Sequence, residues 1–298
     1  MSAPPRFDGT APLLPSGAPL PKLIAVDLDG TLLGPDKRVS ARTRVALDGV
    51  RALGARVVIA TGRPLRTALP VAEDLSGVDT VVAYNGAAMW QRQRVRVVQE
   101  LDQAAARAAL ARLRGAPGVL LALESADGWY LDADAGGGHA AAGATPAGNA
   151  AHLFRGGAPT AVGPLEGFLS TGPIKLLAAS DALPPWQLAR ALAGLDLYTT
   201  WSLPFLLEVH HAAVDKSAAL ALVCAELGID AADVAAFGDQ HNDSGMLAWA
   251  GLGVAMGNAE PEALAAADLV TADAAADGVA LVLESWLRAA RAATGVVA

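Results

Sequence analysis

Two acids stand two residues apart where a short apolar run ends. Leu23–Val26 is followed at once by Asp27, Asp29 and Gly30. In extended backbone, residues i and i+2 project to the same side, so both carboxylates address one volume. A second acidic segment, Gly238-Asp239-Gln240-His241-Asn242-Asp243, ends the apolar run at 234–237 in the same way. Carboxylates brought together from two such ends make a hard oxygen site suited to Mg²⁺. Thr61 closes the apolar run at 57–60, and Gly62 after it permits close backbone approach, so the hydroxyl could bond a phosphate oxygen. Asp215 reads as a helix N-cap, which puts Lys216 in the first helical turn. A cation there opposes the helix dipole by roughly 0.3–1 kcal/mol, so it calls for an offsetting anion, either a bound phosphate or the acid cluster. Asn242 opens a helix whose free N–H groups favour an anion. Singly, each of these also reads as an ordinary turn, cap or solvated side chain.

Positioning them requires strands that end together. Continuous apolar runs at Leu23–Val26, 57–60 and Thr80–Ala83 fit strands buried on both faces of a parallel sheet. Between the first two, Ser40 caps a helix with Ala46, Val50 and Leu53 on one face, and Gly54 stops it. The pattern resumes after Asp215: a helix to Leu227, a strand at 234–237, a short helix at 242–249, strands at Leu252–Ala255 and 268–271, and a terminal helix over 278–292. This alternation predicts an α/β fold with a doubly wound parallel sheet, a Rossmann-like core whose ligands bind outside the carboxyl ends of the strands. After Gly86 the pattern changes. Residues 89–100 alternate like a half-exposed strand, 102–114 form an Ala-rich helix, and 119–131 form a hairpin turning at Ala126-Asp127-Gly128. Loose sequence at 135–150 precedes a strand at 174–178, a helix at 186–195 and strand-like residues at 197–209. The prediction is an inserted α/β cap domain over 88–209, with 21–87 and 210–298 as the core. Repeated prolines make 1–20 read as a disordered tail.

Composition narrows the function. The chain has 298 residues, 53% of them hydrophobic, and a net charge of −8. That length suits about two domains. No apolar stretch reaches the roughly 18–20 residues that span a bilayer, so no membrane partner is expected. The acidic balance argues against nucleic acid. Cys224 is the single cysteine, which excludes an intrachain disulfide framework and a Cys-rich zinc site. The N-terminus lacks the pattern of a signal peptide, so a cytoplasmic protein is expected. Gly251, Gly253 and Gly257 lack dinucleotide-loop spacing. Trp129, Tyr130 and Trp201 could line a cap pocket, but read first as strand packing, and His210-His211 as packed or exposed imidazoles.

Taken together, the chemical residues form a known set. DLDGTLL at 27–33, Thr61 in IATGR, Lys216, and GDQHND at 238–243 resemble the four motifs of the haloacid dehalogenase-like hydrolase superfamily. YNGA at 84–87, GVAMGNA at 253–259, and ADLVT followed by DGVA are similar to its Cof-like phosphatase branch, which carries a large cap between the second and third motifs. Ser217 departs from the glycine usual after the lysine. The resemblance implies a Mg²⁺-dependent phosphatase of small phosphorylated metabolites that works through an aspartyl-phosphate. By it, Asp27 is the nucleophile and Asp29 the general acid and base. Mg²⁺ is held by Asp27, the backbone carbonyl of Asp29, and Asp239. Thr61, Lys216 and Asn242 bind phosphate, with Gly62 in support, and Asp243 positions Lys216 or metal-bound water. The cap would close to exclude water and open to admit it. A phosphomutase or phosphotransferase with the same intermediate, and a non-catalytic metabolite sensor, stay open at this point. The expected state is a monomer or small homo-oligomer.

Overall fold

A computed structural model describes residues 4–10, 13, 18–133, 153–154 and 157–294. The loose segment expected at 135–150 lies outside them. The chain divides into two compact units: Met1–Arg94 with Asp215–Ala298, and Val95–Val214. Strands are numbered in chain order. The first five are β1 (Leu23–Val26), β2 (Arg56–Ala60), β3 (Thr80–Ala83), β4 (Ala88–Gln91) and β5 (Arg94–Val97). Next come β6 (Val119–Ser125), β7 (Gly128–Asp132), β8 (Ala161–Gly163), β9 (Pro173–Ser180), β10 (Leu197–Leu203) and β11 (Leu206–His211). The last are β12 (Val234–Gly238), β13 (Leu252–Ala255) and β14 (Leu269–Val270).

The first unit is built on a sheet of order β14-β13-β12-β1-β2-β3-β4-β5. From β14 to β3 every neighbouring pair is parallel. Counted in chain order, these six strands run 3-2-1-4-5-6 across the sheet, the doubly wound order, and the winding reverses between β1 and β12. The continuous apolar runs explain the parallel arrangement, because all four residues of β1 are fully buried. Helices α1 (Ala41–Ala52) and α2 (Leu65–Asp74) connect the first three strands. The Ser40 side chain accepts from the Thr43 N–H at the start of α1. Leu53, expected on the buried face of α1, is instead 54% exposed, because it is the residue beyond the helix end and Leu47 takes the buried position.

Two boundaries differ from expectation. The first unit runs on to Arg94, and the sheet takes in β4 and β5: β4 turns back antiparallel on β3, pairing Ala83 with Ala88 and Thr80 with Gln91. Ala88 and Met89 are buried there, so the alternating stretch opens as a strand of the core. The chain returns to the first unit at Asp215, because β11 continues through His211 in the other sheet. The N-terminal segment is also not wholly irregular. Phe7 is buried, its N–H donates to the Val270 carbonyl at 2.7 Å, and the Val270 N–H donates to the Pro5 carbonyl at 2.9 Å. The unpaired edge of β14 recruits this segment, and Pro5 is compatible because it only accepts.

The second unit has a sheet of order β10-β11-β9-β6-β7-β8, antiparallel except between β7 and β8. Its helices α3 (Gln103–Leu113) and α4 (Pro185–Ala191) bury Leu110 and Leu188 against Leu121, Leu123 and Leu176. Alternate residues such as Leu120, Ala122 and Leu177 form a separate apolar cluster. Trp129 and Tyr130 are divided between these faces. Trp129 meets Phe154 edge-on at 5.1 Å, and Tyr130 stacks on Phe168 at 4.6 Å. Among the described residues no helix is long and apolar enough to cross a membrane.

Candidate active site

Parallel pairing of β1 with β12 sets Val26 beside Phe237, so the residues leaving these strands emerge together where the winding reverses. Asp27 leaves β1 and donates its N–H to the Phe237 carbonyl at 3.0 Å. Asp239 leaves β12. The loop after Asp27 can pass Asp239 only because residue 30 is glycine. Its φ is +86°, and a Cβ there would stand 2.2 Å from Asp239 Oδ2. Asp243 is carried back to the strand end by one 3-10 turn, His241–Asp243, ahead of helix α6 (Ser244–Trp249). Its Oδ2 accepts from the backbone N–H groups of Asp239 at 2.9 Å and Gln240 at 3.0 Å.

Lys216 opens helix α5 (Lys216–Leu227), whose N-cap Asp215 accepts from the Ser217 N–H at 2.6 Å. Ser217 therefore fits the turn without glycine. The lysine is fully buried, and its Nζ lies 2.7 Å from Asp27 Oδ1 and 2.6 Å from Asp243 Oδ1. These acids are the anions its helical position calls for. Asp27, Asp239 and Asp243 each offer an oxygen within 4.8 Å of the others.

One ammonium faces three buried carboxylates, and Asp27 and Asp239 respond. Burial pushes Asp27 well above the usual carboxylate range, with Lys216 opposing and Asp243 and Asp239 adding to the rise. Burial pushes Asp239 up to about 7, against the Thr31 hydrogen bond and with Asp243 adding. Burial works against the Lys216 ammonium too, but Asp243 and Asp27 outweigh it and raise its pKa. A cluster short of positive charge, made only of hard oxygens, fits a divalent cation such as Mg²⁺.

Asp29 behaves otherwise. Its carboxylate is not in the triad. Arg63 grips it through Nε at 2.5 Å and a terminal nitrogen at 2.7 Å, and Lys37 through Nζ at 2.8 Å. Burial would raise its pKa, but these two cations bring it down to about 2. Thr61 is buried at the end of β2, where its Oγ1 accepts from the Arg63 N–H at 3.2 Å. Gly62 lies against Asn85. Asn242 donates from Nδ2 to Asn85 Oδ1 at 2.9 Å, while its own Oδ1 is buried without a partner among the described residues.

The structure thus gathers Asp27, Asp239, Asp243 and Lys216 by direct contact and links Thr61, Gly62 and Asn242 through Arg63 and Asn85. Sequence reasoning assigned no role to Arg63, Asn85, Thr31 or Asn258. All four stand inside quoted motifs, and Asn85 has a left-handed φ of +57°, but nothing local shows what each side chain touches.

Residues 24–283 match the family model of the haloacid dehalogenase-like hydrolases. The chain belongs to this family. It is a hydrolase of the Cof-like branch. It is 30% identical over 266 residues to the 5-amino-6-(5-phospho-D-ribitylamino)uracil phosphatase YcsE of Bacillus subtilis, covering 89% of this chain and 96% of that protein. A phosphoglycolate phosphatase of Natronomonas pharaonis is 31% identical over 258 residues, covering 86% of this chain and 93% of that one. Among solved structures, the phosphatase BT1666 of Bacteroides thetaiotaomicron matches with a TM-score of 0.74 and 26% identity over 93% of this chain and 98% of its own.

Proposed function

We propose that this hydrolase is a Mg²⁺-dependent phosphatase that releases phosphate from small phosphorylated metabolites through an aspartyl-phosphate. The observation that carries this reading is the buried triad of Asp27, Asp239 and Asp243 around Lys216 at the reversal of the winding. An oxygen of Asp27 attacks phosphorus, the bond to the leaving oxygen breaks, and Asp29 hands that oxygen a proton. Water then loses a proton to Asp29 and attacks the same phosphorus, restoring Asp27 and freeing phosphate. Arg63 and Lys37 hold Asp29 ionised in the arrangement described, so the acid step requires them to give up one of its oxygens. Thr61, Lys216 and Asn242 hold the phosphoryl oxygens, and Asp243 anchors Lys216. Carboxylates of Asp27 and Asp239, with the backbone carbonyl of Asp29, would hold Mg²⁺. The ion would neutralise the phosphoryl oxygens and keep Asp27 ionised at neutral pH.

The second unit sets which leaving group is accepted, since the first spends its rim on phosphate and metal. Its Trp129 and Tyr130 are buried packing residues, so specificity rests on other side chains there. The named relatives point to a small phosphorylated metabolite: a phosphorylated ribitylamino-pyrimidine or a short hydroxy-acid phosphate. The test is phosphate release across sugar phosphates, nucleotides, FMN, pyridoxal phosphate, phosphoglycolate and the phosphoribitylamino-uracil, with Mg²⁺ and with chelator. Turnover of at least one substrate with Mg²⁺, lost in chelator, is expected. Full turnover in chelator, or phosphate trapped on a residue other than Asp27, overturns the reading.

A further inference from the structure

Of the three acids in the triad, Asp239 is the one with no cation in hydrogen-bond contact among the described residues. Lys216 holds Asp27 and Asp243. Asp239 is held by two neutral groups, one on each oxygen: Thr31 Oγ1 donates to Oδ1 at 2.7 Å, and Asn258 Nδ2 donates to Oδ2 at 3.3 Å. The Asn258 amide does more. The same nitrogen donates to the Gly30 carbonyl at 2.9 Å, and its Oδ1 accepts from the Ala274 N–H at 2.9 Å. Asn258 itself follows β13, so one side chain ties together the segments leaving β1, β12, β13 and β14.

The choice of donor matters. An arginine or lysine on Asp239 would fix the carboxylate but cancel the charge a metal needs, as Arg63 and Lys37 do to Asp29. A hydroxyl and an amide fix its orientation and leave the negative charge in place. Each carboxylate oxygen also retains a further lone pair. We propose that Asn258 and Thr31 are positioning residues that orient Asp239 and so set the affinity of this rim for a divalent cation. The inference rests on the reading of Asp239 as a metal ligand. Partners of this kind commonly govern metal affinity by about 10–100-fold.

The experiment uses the full chain with Asn258→Ala and Thr31→Val, the latter close to isosteric. Mg²⁺ binding is measured by calorimetry without substrate, and phosphate release is titrated with Mg²⁺. Each variant should bind Mg²⁺ about tenfold more weakly than wild type. Its Mg²⁺ activation constant should rise in parallel, and saturating Mg²⁺ should restore most of kcat with substrate KM unchanged. Because both act on one carboxylate, the double variant should lose less than the product of the single losses. Thr31→Ser should recover the affinity. Melting in chelator reports folding, and if Asn258→Ala is misfolded, Thr31→Val and Thr31→Ser decide. The inference is overturned if folded variants bind Mg²⁺ within twofold of wild type, or if saturating Mg²⁺ fails to restore kcat. If wild type itself binds no Mg²⁺ and turns over in chelator, the metal reading of Asp239 falls with it, a result distinct from equal binding by wild type and variants.

Discussion

Each unit buries a lysine among acids. In the first, Lys216 lies 2.7 Å from Asp27 and 2.6 Å from Asp243. In the second, Lys175 lies 3.2 Å from Glu208 and 3.5 Å from Glu124, with His210 3.7 Å from Glu208. The acids answer burial in opposite directions. Asp27 and Asp239 are pushed up, Asp239 to about 7. Burial would raise Glu208 as well, but Lys175 and His210 outweigh it and bring it down to about 2. The difference is architectural. Glu124 and Lys175 face each other across β6 and β9, and Glu208 lies beside the same lysine, so here one cation serves two carboxylates rather than three. The first cluster stands at strand ends, where a loop and a helix start add carboxylates faster than cations. A buried charge cluster points to chemistry when its own charges leave it unsatisfied.

Four measurements would break or sharpen this contrast. The largest effect is expected from Asp27→Asn, which should cut phosphate release by about 10⁴-fold or more. Its melting temperature in chelator should stay level or rise, because the substitution removes one of three crowded carboxylates. A fall in melting temperature would make the first cluster structural like the second.

Lys175→Met should show the reverse pattern. Removing one partner of a buried ion cluster costs about 3–5 kcal/mol, here by stranding Glu124 and Glu208. Denaturant unfolding should show that loss, and adding Glu124→Leu and Glu208→Leu should recover most of it. A silent Lys175→Met would remove the claim that this cluster is held by its lysine.

Next in size, Mg²⁺ at 100 times its dissociation constant should stabilise the protein by about 2.7 kcal/mol. Calorimetric melting should show the gain in wild type and its loss in Asp239→Asn. Ca²⁺, which accepts longer and looser coordination, should bind yet inhibit turnover.

The smallest effect is a pair of opposed pH slopes in the metal-free protein, read by hydrogen exchange in each unit. Asp239 rises from 3.8 to about 7 on folding, so the stability it contributes is full below 3.8 and is lost as pH rises towards 7. His210 is lowered from 6.5 by burial, so its contribution is present above 6.5 and is lost as pH falls below it. Glu208 drops from 4.5 to about 2, which adds a further loss as pH falls through that window. Each proton gives a slope of at most about 1.4 kcal/mol per pH unit. Mg²⁺ should flatten the slope of the first unit and leave that of the second. Slopes of the same sign in both units would contradict the contrast.

Local rules carried much of this molecule. Short apolar runs specified the parallel strands, because a strand buried on both faces has no polar positions to show. Asp27, Asp29 and Asp239 were legible because each breaks such a run abruptly, and Lys216 because a cation in a first helical turn needs an anion. What the sequence could not show depends on register and on contacts between distant segments. Asp243, not the Asp29 carboxylate, completes the triad, because a 3-10 turn returns it to the end of β12 while Arg63 and Lys37 draw Asp29 away. Residues 89–100 alternate like a half-exposed strand, and only the pairing of β4 with β3 makes their first part core. Glu124, Lys175, Glu208 and His210 lie on three separate strands and form one cluster only through antiparallel register. Residue type and spacing express what a few neighbouring residues require of one another. Which carboxylate is left wanting a cation follows from sums of charge and burial over residues far apart in the chain, and those exist only once it is folded.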